Sequence, residues 1–258
     1  MLMTVDIGNT HIVVGVFEAE ELVFHTRLST DMKKTEDEYA AILLYLLSLE
    51  SIVFSTIDGV VISSVVPTLI NIFQKFSIKH LKCNPLIIEA GNGYGIEIDV
   101  ENPKEVGADR VVNAIAAIQL FGSPVIVVDF GTATTFDIVN DQNAYVGGVI
   151  APGIEITASA LHIKTAKLPL IEVQKCDNII GKNTINSMNA GIYFGYLSLV
   201  DGIIYRIIET LSKKSNIKIV STGGLGDMYL KESKYIVKYE PHLTLYGLRL
   251  VYDKINNL

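Results

Sequence analysis

The sequence predicts an α/β protein made of two similar halves, each a mixed sheet flanked by helices. Two short segments first suggest the duplication: VDIGNTHIVV begins at Val5 and VDFGTATTFD at Val128. Each ends an apolar strand with an acid and places a glycine two residues later, Asp6/Gly8 and Asp129/Gly131. The offset of 123 residues is close to half of the 258-residue chain. Around each segment the same order of elements is legible: three strands, a helix, a strand and a helix. Hairpins combined with strand–helix crossovers imply mixed sheets. Two such halves would leave a cleft faced by both Asp-x-Gly turns.

In the first half, strands are expected near 3–7, 11–17 and 21–28, the last two joined by EAEE. A helix follows in TEDEYAAILLYLLSL, where Thr35 and Glu38 have the spacing of a capping box before an apolar run. The β-branched run VVISSV (60–65) reads as a strand, with a helix after Pro67 and a strand at 86–89. NPKEVGADRVVNAIAAIQLF (102–121) has a polar head and then a helix. Val111, Ala114, Ile115, Ile118 and Leu120 or Phe121 form its apolar face, and Ala116 and Ala117 permit close packing. The second half offers strands near 125–130, 134–139 and 145–150, the last two joined by NDQNA, and a helix beginning at Pro152–Gly153. A long helix from about 187 to 213, a strand at 217–221 and a helix after Pro241 complete it. The halves are expected to span 1–115 and 116–258.

Composition narrows the function. With 49% hydrophobic and 19% charged residues, the chain has ample material for a core. A net charge of −7 gives no basic face for nucleic acid. Cys83 and Cys176 lack the spacing of a thiolate metal site or a disulfide framework. The opening MLMTVDIGN has no basic stretch before its apolar residues, and no run of 18 uncharged apolar residues reads as a membrane span, so a cytoplasmic protein is expected.

The Asp-x-Gly turns carry the chemistry. A glycine just beyond a strand lets backbone N–H groups approach a ligand. N–H groups and the hydroxyls of Thr132, Thr134 and Thr135 can donate to phosphate oxygens, whereas a carboxylate beside phosphate needs a cation between them. Acid, glycine and hydroxyls, twice, fit a metal–nucleotide polyphosphate gripped by two hairpins. Other phosphate loops fail: GKNT (181–184) would need a glycine where Cys176 stands, and neither G-x-G-x-x-G after the first strand nor H-R-D occurs. Asp109 and Arg110 lie at the start of the 102–121 helix. Asp109 could be a cap favoured by the helix dipole, and Arg110 an ion-pair partner of Glu105. Equally, they are the carboxylate and fixed cation that phosphoryl transfer to an anionic acceptor requires. STGGLGD (221–227) is either a tight connection or bare backbone over which a nucleoside could lie. Ser187, Gly191 and Gly195 share one helical face that suits a close contact, internal or with a partner.

DIGNTH (6–11), NPKEVGADR (102–110), DFGTATTFD (129–137), GGVIAPG (147–153), TAKLP (165–169) and STGG (221–224) resemble the type III pantothenate kinases, in family order and across essentially the whole chain. The resemblance implies duplicated ribonuclease H-like, actin-like halves of the acetate and sugar kinase, Hsp70 and actin superfamily. It implies ATP-dependent phosphorylation of pantothenate, the first step towards coenzyme A, by a homodimer with the site at its interface. Mg²⁺ accompanies ATP, and a monovalent cation, K⁺ or NH₄⁺, is required. The resemblance assigns ATP binding to Asp6, Ile7, Gly8, Asn9, Thr10, His11, Ile12 and Val13, with Thr132 added from the second turn. Asp6 would reach Mg²⁺ through water, and Asp129 would hold the monovalent cation. Gly107, Ala108, Asp109 and Arg110 match the pantothenate-binding turn, with Asp109 as proton acceptor, and Thr184 matches a contact made from the partner subunit. Val100 stands at a substrate-binding position where the family often has tyrosine. That substitution leaves room for a related kinase of another hydroxy acid or a sugar. A nucleotide-binding regulatory protein on the same fold would have no use for the Asp109–Arg110 pair.

Overall fold

A computed structural model of the chain describes residues 1–211 and 216–257. In chain order its elements are β1 (Leu2–Ile7), β2 (His11–Glu18), β3 (Glu21–Ser29), α1 (Glu36–Leu49), β4 (Gly59–Ser64), α2 (Pro67–Phe76), β5 (Leu86–Ile87), α3 (Ala108–Phe121) and β6 (Val125–Phe130). There follow β7 (Ala133–Val139), β8 (Tyr145–Pro152), α4 (Ile154–Lys164), α5 (Thr184–Thr210), β9 (Lys218–Thr222), α6 (Gly226–Leu230), β10 (Lys238–Tyr239) and α7 (Leu243–Ile255). The chain divides into two compact units, Met1–Ala116 with the C-terminal segment from Leu243, and Ala117–His242.

Each unit contains a five-stranded mixed sheet. The first has the order β3-β2-β1-β4-β5 and the second, read from its β8 edge, β8-β7-β6-β9-β10. Strand for strand, these are the same topology. β1 pairs antiparallel with β2 and parallel with β4, as β6 does with β7 and β9. In both sheets the Asp-x-Gly aspartate lies beside a hydroxyl residue of the parallel neighbour, Asp6 opposite Ser63 and Asp129 opposite Thr222.

Alternation along the strands decides what each face packs against. Met3, Val5 and Ile7 of β1 join Val60 and Ile62 of β4 in a core covered by Tyr39, Leu43 and Leu47 of α1 and by Leu69, Phe73 and Phe76 of α2. Leu2 and Val61 face the other way, against Val112 of α3 and Leu248 and Val251 of α7. By the same alternation Asp6 and Ser63 belong to the α3/α7 face. α1 begins as its sequence predicts: Glu38 N–H donates to Thr35 Oγ1 at 3.4 Å, and Thr35 N–H donates to Glu38 Oε2 at 2.8 Å. In the second unit, Ile126, Val128 and Phe130 of β6 and Phe136 and Ile138 of β7 pack on Ile192, Tyr193, Tyr196, Val200 and Ile204 of α5.

Several expectations change. The terminal helix, read with the second half, packs on β1, β2 and β4 of the first unit. Its apolar positions Leu245, Leu248 and Val251 cover the sheet face that α1 and α2 leave open, and Gly247 lets it approach α3 closely: a Cβ there would lie 2.1 Å from the Val112 carbonyl oxygen. Of Leu120 and Phe121, the alternatives for the end of the apolar face of α3, Leu120 is 45% exposed and Phe121 is half-buried. α5 starts at Thr184 instead of near 187, and positions 212–213 of the expected helix lie outside the described residues. By length and composition alone α5 is apolar enough to cross a membrane. It carries Asp201, which accepts hydrogen bonds from Ser233 Oγ and the Lys234 N–H, and its buried side chains form the core of the second unit.

Candidate active site

The first unit gathers two carboxyls on one sheet face. Asp6 is the penultimate residue of β1, and the parallel register sets Ser63 of β4 beside it. The fully buried Ser63 hydroxyl donates to Asp6 Oδ1 at 2.5 Å. Burial pushes the Asp6 pKa up from 3.8 to about 7, the charge of Asp109 pushes in the same direction, and the Ser63 hydrogen bond opposes both. Asp109 comes from the first turn of α3, which lies over this face. Its carboxylate folds back over Gly107, where a Cβ would meet Asp109 Oδ1 at 2.5 Å. It accepts the Arg110 N–H at 2.9 Å. Burial raises the Asp109 pKa, against that hydrogen bond and the Arg110 charge. Capping and proton affinity are therefore properties of the same carboxylate. Glu105, the alternative partner considered for Arg110, accepts from Asn102 Nδ2 at 2.6 Å.

The turn between β1 and β2 is held from outside. The Gly8 N–H donates to the His11 carbonyl at 2.9 Å. Thr30 donates from its hydroxyl to the Gly8 carbonyl at 2.7 Å and from its N–H to the Thr10 carbonyl at 3.0 Å. Asn9 and Thr10 remain exposed at the tip, while Ile7 and Ile12 are buried in the core and Val13 is half-buried. The hairpin is thus presented on a fixed base. Thr30 and Ser63 both escape a motif-based reading; register with β1 and β4 is the signal that finds Ser63.

The second turn divides its polar residues by the same alternation. Thr134 faces α5, where its hydroxyl bonds that of Tyr196. Thr135 and Asp137 face the opposite side: Thr135 Oγ1 donates to Asp137 Oδ2 at 3.0 Å and the Tyr145 hydroxyl to Asp137 Oδ1 at 2.9 Å. Of the three threonines, Thr132 alone is exposed, on the loop between β6 and β7. Gly223 closes the other side of the loop with φ +83, and a Cβ on it would lie 2.6 Å from Asp129 Oδ1 and 2.7 Å from the Phe130 carbonyl oxygen. The STGG turn is therefore bare because Asp129 and the Phe130 backbone fill the space.

Asp6 and the Gly107–Arg110 turn come together in the first unit, whereas Asp129 and Thr132 share a loop of the second. Thr184 opens α5 as an exposed residue, after Asn183, whose Oδ1 accepts the Asn186 N–H at 2.8 Å. Val100 is half-buried in an irregular segment of the first unit. The nearby Tyr94 uses its hydroxyl to accept the Glu89 N–H at 2.8 Å. An apolar cavity of about 450 Å³ between β8 and α5, lined by Ile138, Val149, Ile203 and Ile207 among others, involves none of the predicted site residues.

No group of three or more His, Cys, Asp or Glu among the described residues forms a metal cage. Mg²⁺ that travels with a nucleotide is commonly held by one or two carboxylates together with substrate phosphates. The buried Asp6, crowded by a second acid, fits such a cation. At Asp129 the carboxylate and the Phe130 carbonyl converge on Gly223, an oxygen-rich setting suited to a hard cation.

The raised Asp6 pKa is also a stability statement. Below about pH 4 the carboxyl is protonated in both folded and unfolded chains; between there and about pH 7 the folded chain alone keeps the proton; above that it carries a buried charge. Stability from this group is thus present in acid and lost as pH rises through about 7. Asp6→Asn should raise the thermal midpoint of the ligand-free protein near pH 8 and leave it almost unchanged near pH 4. An equal effect at both pH values in thermal scans would contradict the assignment.

Comparison with known proteins identifies the family and the fold. The model of the type III pantothenate kinase family matches residues 2–206. A type III pantothenate kinase from Bacillus cytotoxicus is 46% identical over 254 residues, covering 98% of this chain and 96% of its own. Among solved structures, a Campylobacter jejuni protein described as a Baf family transcriptional activator aligns with a TM-score of 0.56 at 21% identity, over 99% of this chain and 100% of that one. Component A of the (R)-2-hydroxyglutaryl-CoA dehydratase of Acidaminococcus fermentans aligns with a TM-score of 0.57 at 12% identity, over 99% and 98%. At these identities the structures speak for the fold, the duplicated actin/Hsp70-ATPase arrangement of two mixed sheets flanked by helices. With the family model covering most of the chain and a relative of nearly equal length sharing almost half its residues, the chain belongs to the type III pantothenate kinase family.

Proposed function

We propose that the chain transfers the γ-phosphoryl group of ATP to the hydroxyl of pantothenate, giving 4′-phosphopantothenate at the start of coenzyme A biosynthesis. Family membership supports the reaction. The structural observation that carries the chemistry is Asp109, a largely buried carboxyl with raised proton affinity, set beside Arg110 over the face that holds Asp6.

In this reading Arg110 holds the carboxylate of pantothenate, and the backbone of Gly107 and Ala108 shapes the turn around it. Asp109 orients the acceptor hydroxyl and takes its proton as that oxygen bonds to the γ-phosphorus and the bond to the leaving ADP oxygen breaks. N–H groups at the exposed Asn9–Thr10 tip of the first turn and the hydroxyls of Thr10 and Thr132 donate to phosphate oxygens. Asp6 holds Mg²⁺ through water, a cation that when bound offsets charge on the phosphates. Asp129 serves a monovalent cation, K⁺ or NH₄⁺. Thr184 reaches the acceptor of the partner subunit in a homodimer, and the enzyme works in the cytoplasm. Val100 removes a phenolic donor from the acceptor pocket without touching the proton transfer.

The overall reading is tested by offering ATP, Mg²⁺ and K⁺ with pantothenate, sugars and glycerol in parallel; turnover confined to an acceptor other than pantothenate overturns it. Asp109→Asn should keep the fold and nucleotide binding while lowering kcat on the order of 10²–10⁴-fold. Because Asp109 must be ionised to accept a proton and burial raises its pKa, wild-type activity should fall in acid earlier than an ordinary carboxylate would require. Near-normal kcat in the Asn variant would remove Asp109 from the proton-acceptor role.

Asp129→Ala should lower activity and flatten its dependence on K⁺. Equal wild-type rates with and without K⁺ and NH₄⁺ would dismiss the cation from this position.

The face of α5 bearing Ser187, Gly191 and Gly195 is exposed, and a Cβ at either glycine meets nothing within 4 Å. A single chain therefore accommodates Gly191→Leu without clash. In a dimer that apposes this face the same leucine is a plug, costing roughly 1–3 kcal/mol. Sedimentation should show dissociation, with activity recovering at high protein concentration. A fully dimeric, fully active variant would move the interface elsewhere.

A further inference from the structure

Tyr196 has a hydroxyl that the proposed chemistry does not use. It comes from the middle of α5 and is 4% exposed. Its ring lies 5.8 Å from that of Tyr229 and 6.4 Å from that of Phe130, the residue just before Gly131. Tyr229 in turn stacks on Phe130 and on Tyr193, at 5.5 Å in both cases. A ring held this way needs no hydroxyl for packing, and a buried hydroxyl is costly unless bonded. The hydroxyl of Tyr196 is bonded twice. It donates to the Pro152 carbonyl at 3.2 Å and shares a short hydrogen bond with Thr134 Oγ1. With the tyrosine proton directed at Pro152, the proton of the second bond comes from Thr134.

These two partners flank the second turn. Thr134 is the second residue of the strand that leaves the loop, and Pro152 pairs with the first, Ala133, across the β7–β8 ladder. The next residue, Gly153, is the bed on which the loop backbone rests: a Cβ there would lie 2.1 Å from the Thr132 carbonyl oxygen and 2.7 Å from that of Gly131. One rigid hydroxyl thus fixes the exit of the loop and the surface beneath it.

We infer that Tyr196 is a positioning residue for the second phosphate loop, holding Thr132 and its neighbouring N–H groups for ATP through Thr134 on one side and Pro152–Gly153 on the other. This rests on reading residues 129–134 as a nucleotide phosphate loop. No group of Tyr196 touches substrate.

The test is steady-state kinetics with ATP and pantothenate varied separately, on wild type, Tyr196→Phe, Tyr229→Phe and Thr132→Val, each checked by thermal unfolding. Tyr229 supplies the control, because its hydroxyl is buried in the same ring cluster with no hydrogen-bond partner among the described residues. Tyr196→Phe should raise the KM for ATP about five- to tenfold, the effect of one buried hydrogen bond, with kcat and the KM for pantothenate close to wild type. Tyr229→Phe should leave all three unchanged. If Tyr196→Phe does not fold, Thr134→Val and Thr134→Ser read the same bond from its other end: Val should raise the KM for ATP and Ser restore it. An unchanged KM for ATP in Tyr196→Phe alongside a raised one in Thr132→Val would overturn the inference and leave the phosphate loop standing. No change in either would overturn the loop reading and the inference with it. Equal shifts in the two tyrosine variants would reduce the effect to a general disturbance of the ring cluster.

Discussion

The parallel pairing of β1 with β4 is the constraint on which the first unit depends, because it sets the carboxyl of Asp6 beside the Ser63 hydroxyl that donates to it. Keeping a carboxylate charged away from water costs several kcal/mol. Ser63 offsets part of that through a hydrogen bond of 2.5 Å. Asp109 works against it by bringing a second acid over the same face. A packing solution would place valine at position 6, as at 60 and 61 of the adjacent strand. In the proposed reading the two acids have a use, because a cation accompanies the phosphates of the nucleotide.

The second unit repeats the register with a different outcome. Asp129 sits beside Thr222 as Asp6 sits beside Ser63. Around Asp129, however, the neighbouring chain carries glycine at 223, where the missing side chain leaves room for the carboxylate and the Phe130 carbonyl oxygen. The same strand order thus carries an acid pair in one half and a carboxylate packed against glycine and backbone in the other. Duplication supplied two equivalent strand ends, and the side chains on the neighbouring elements made them chemically unlike.

The residue types of the site were legible in the sequence, while their partners were not. Asp6, Gly8, Asp109 and Asp129 stand out because an acid or glycine at the end of an apolar strand or the head of an apolar helix has no packing rationale. The threonines of DFGTATT look alike in sequence. In the fold, Thr132 is exposed, Thr134 is tied to Tyr196, and Thr135 serves the buried Asp137. Strand alternation separates Thr134 from Thr135, but it cannot name a partner that is 62 residues away on a helix. Ser63, Thr30 and Tyr196 were missed for the same reason: each is an ordinary residue within its own element and gains a role only from a neighbour distant in the chain.

Local physical chemistry acts over a few residues, and at that range the sequence by itself determined the longer strands, the capping box of α1, the start of α2 at Pro67, the internal repeat and the acids near the ends of its strands. Those features follow from side-chain period, capping geometry and backbone freedom. Tertiary structure alone decided that α7 closes the first sheet, that 165–183 has no regular structure, that α6 and the short edge strand β10 complete the second unit, and which hydroxyls support the two turns. Such choices depend on which uncovered face an apolar stripe meets and on the register of strands far apart in the chain. Several helices carry a stripe that could cover a given sheet face, and only the packed chain selects among them.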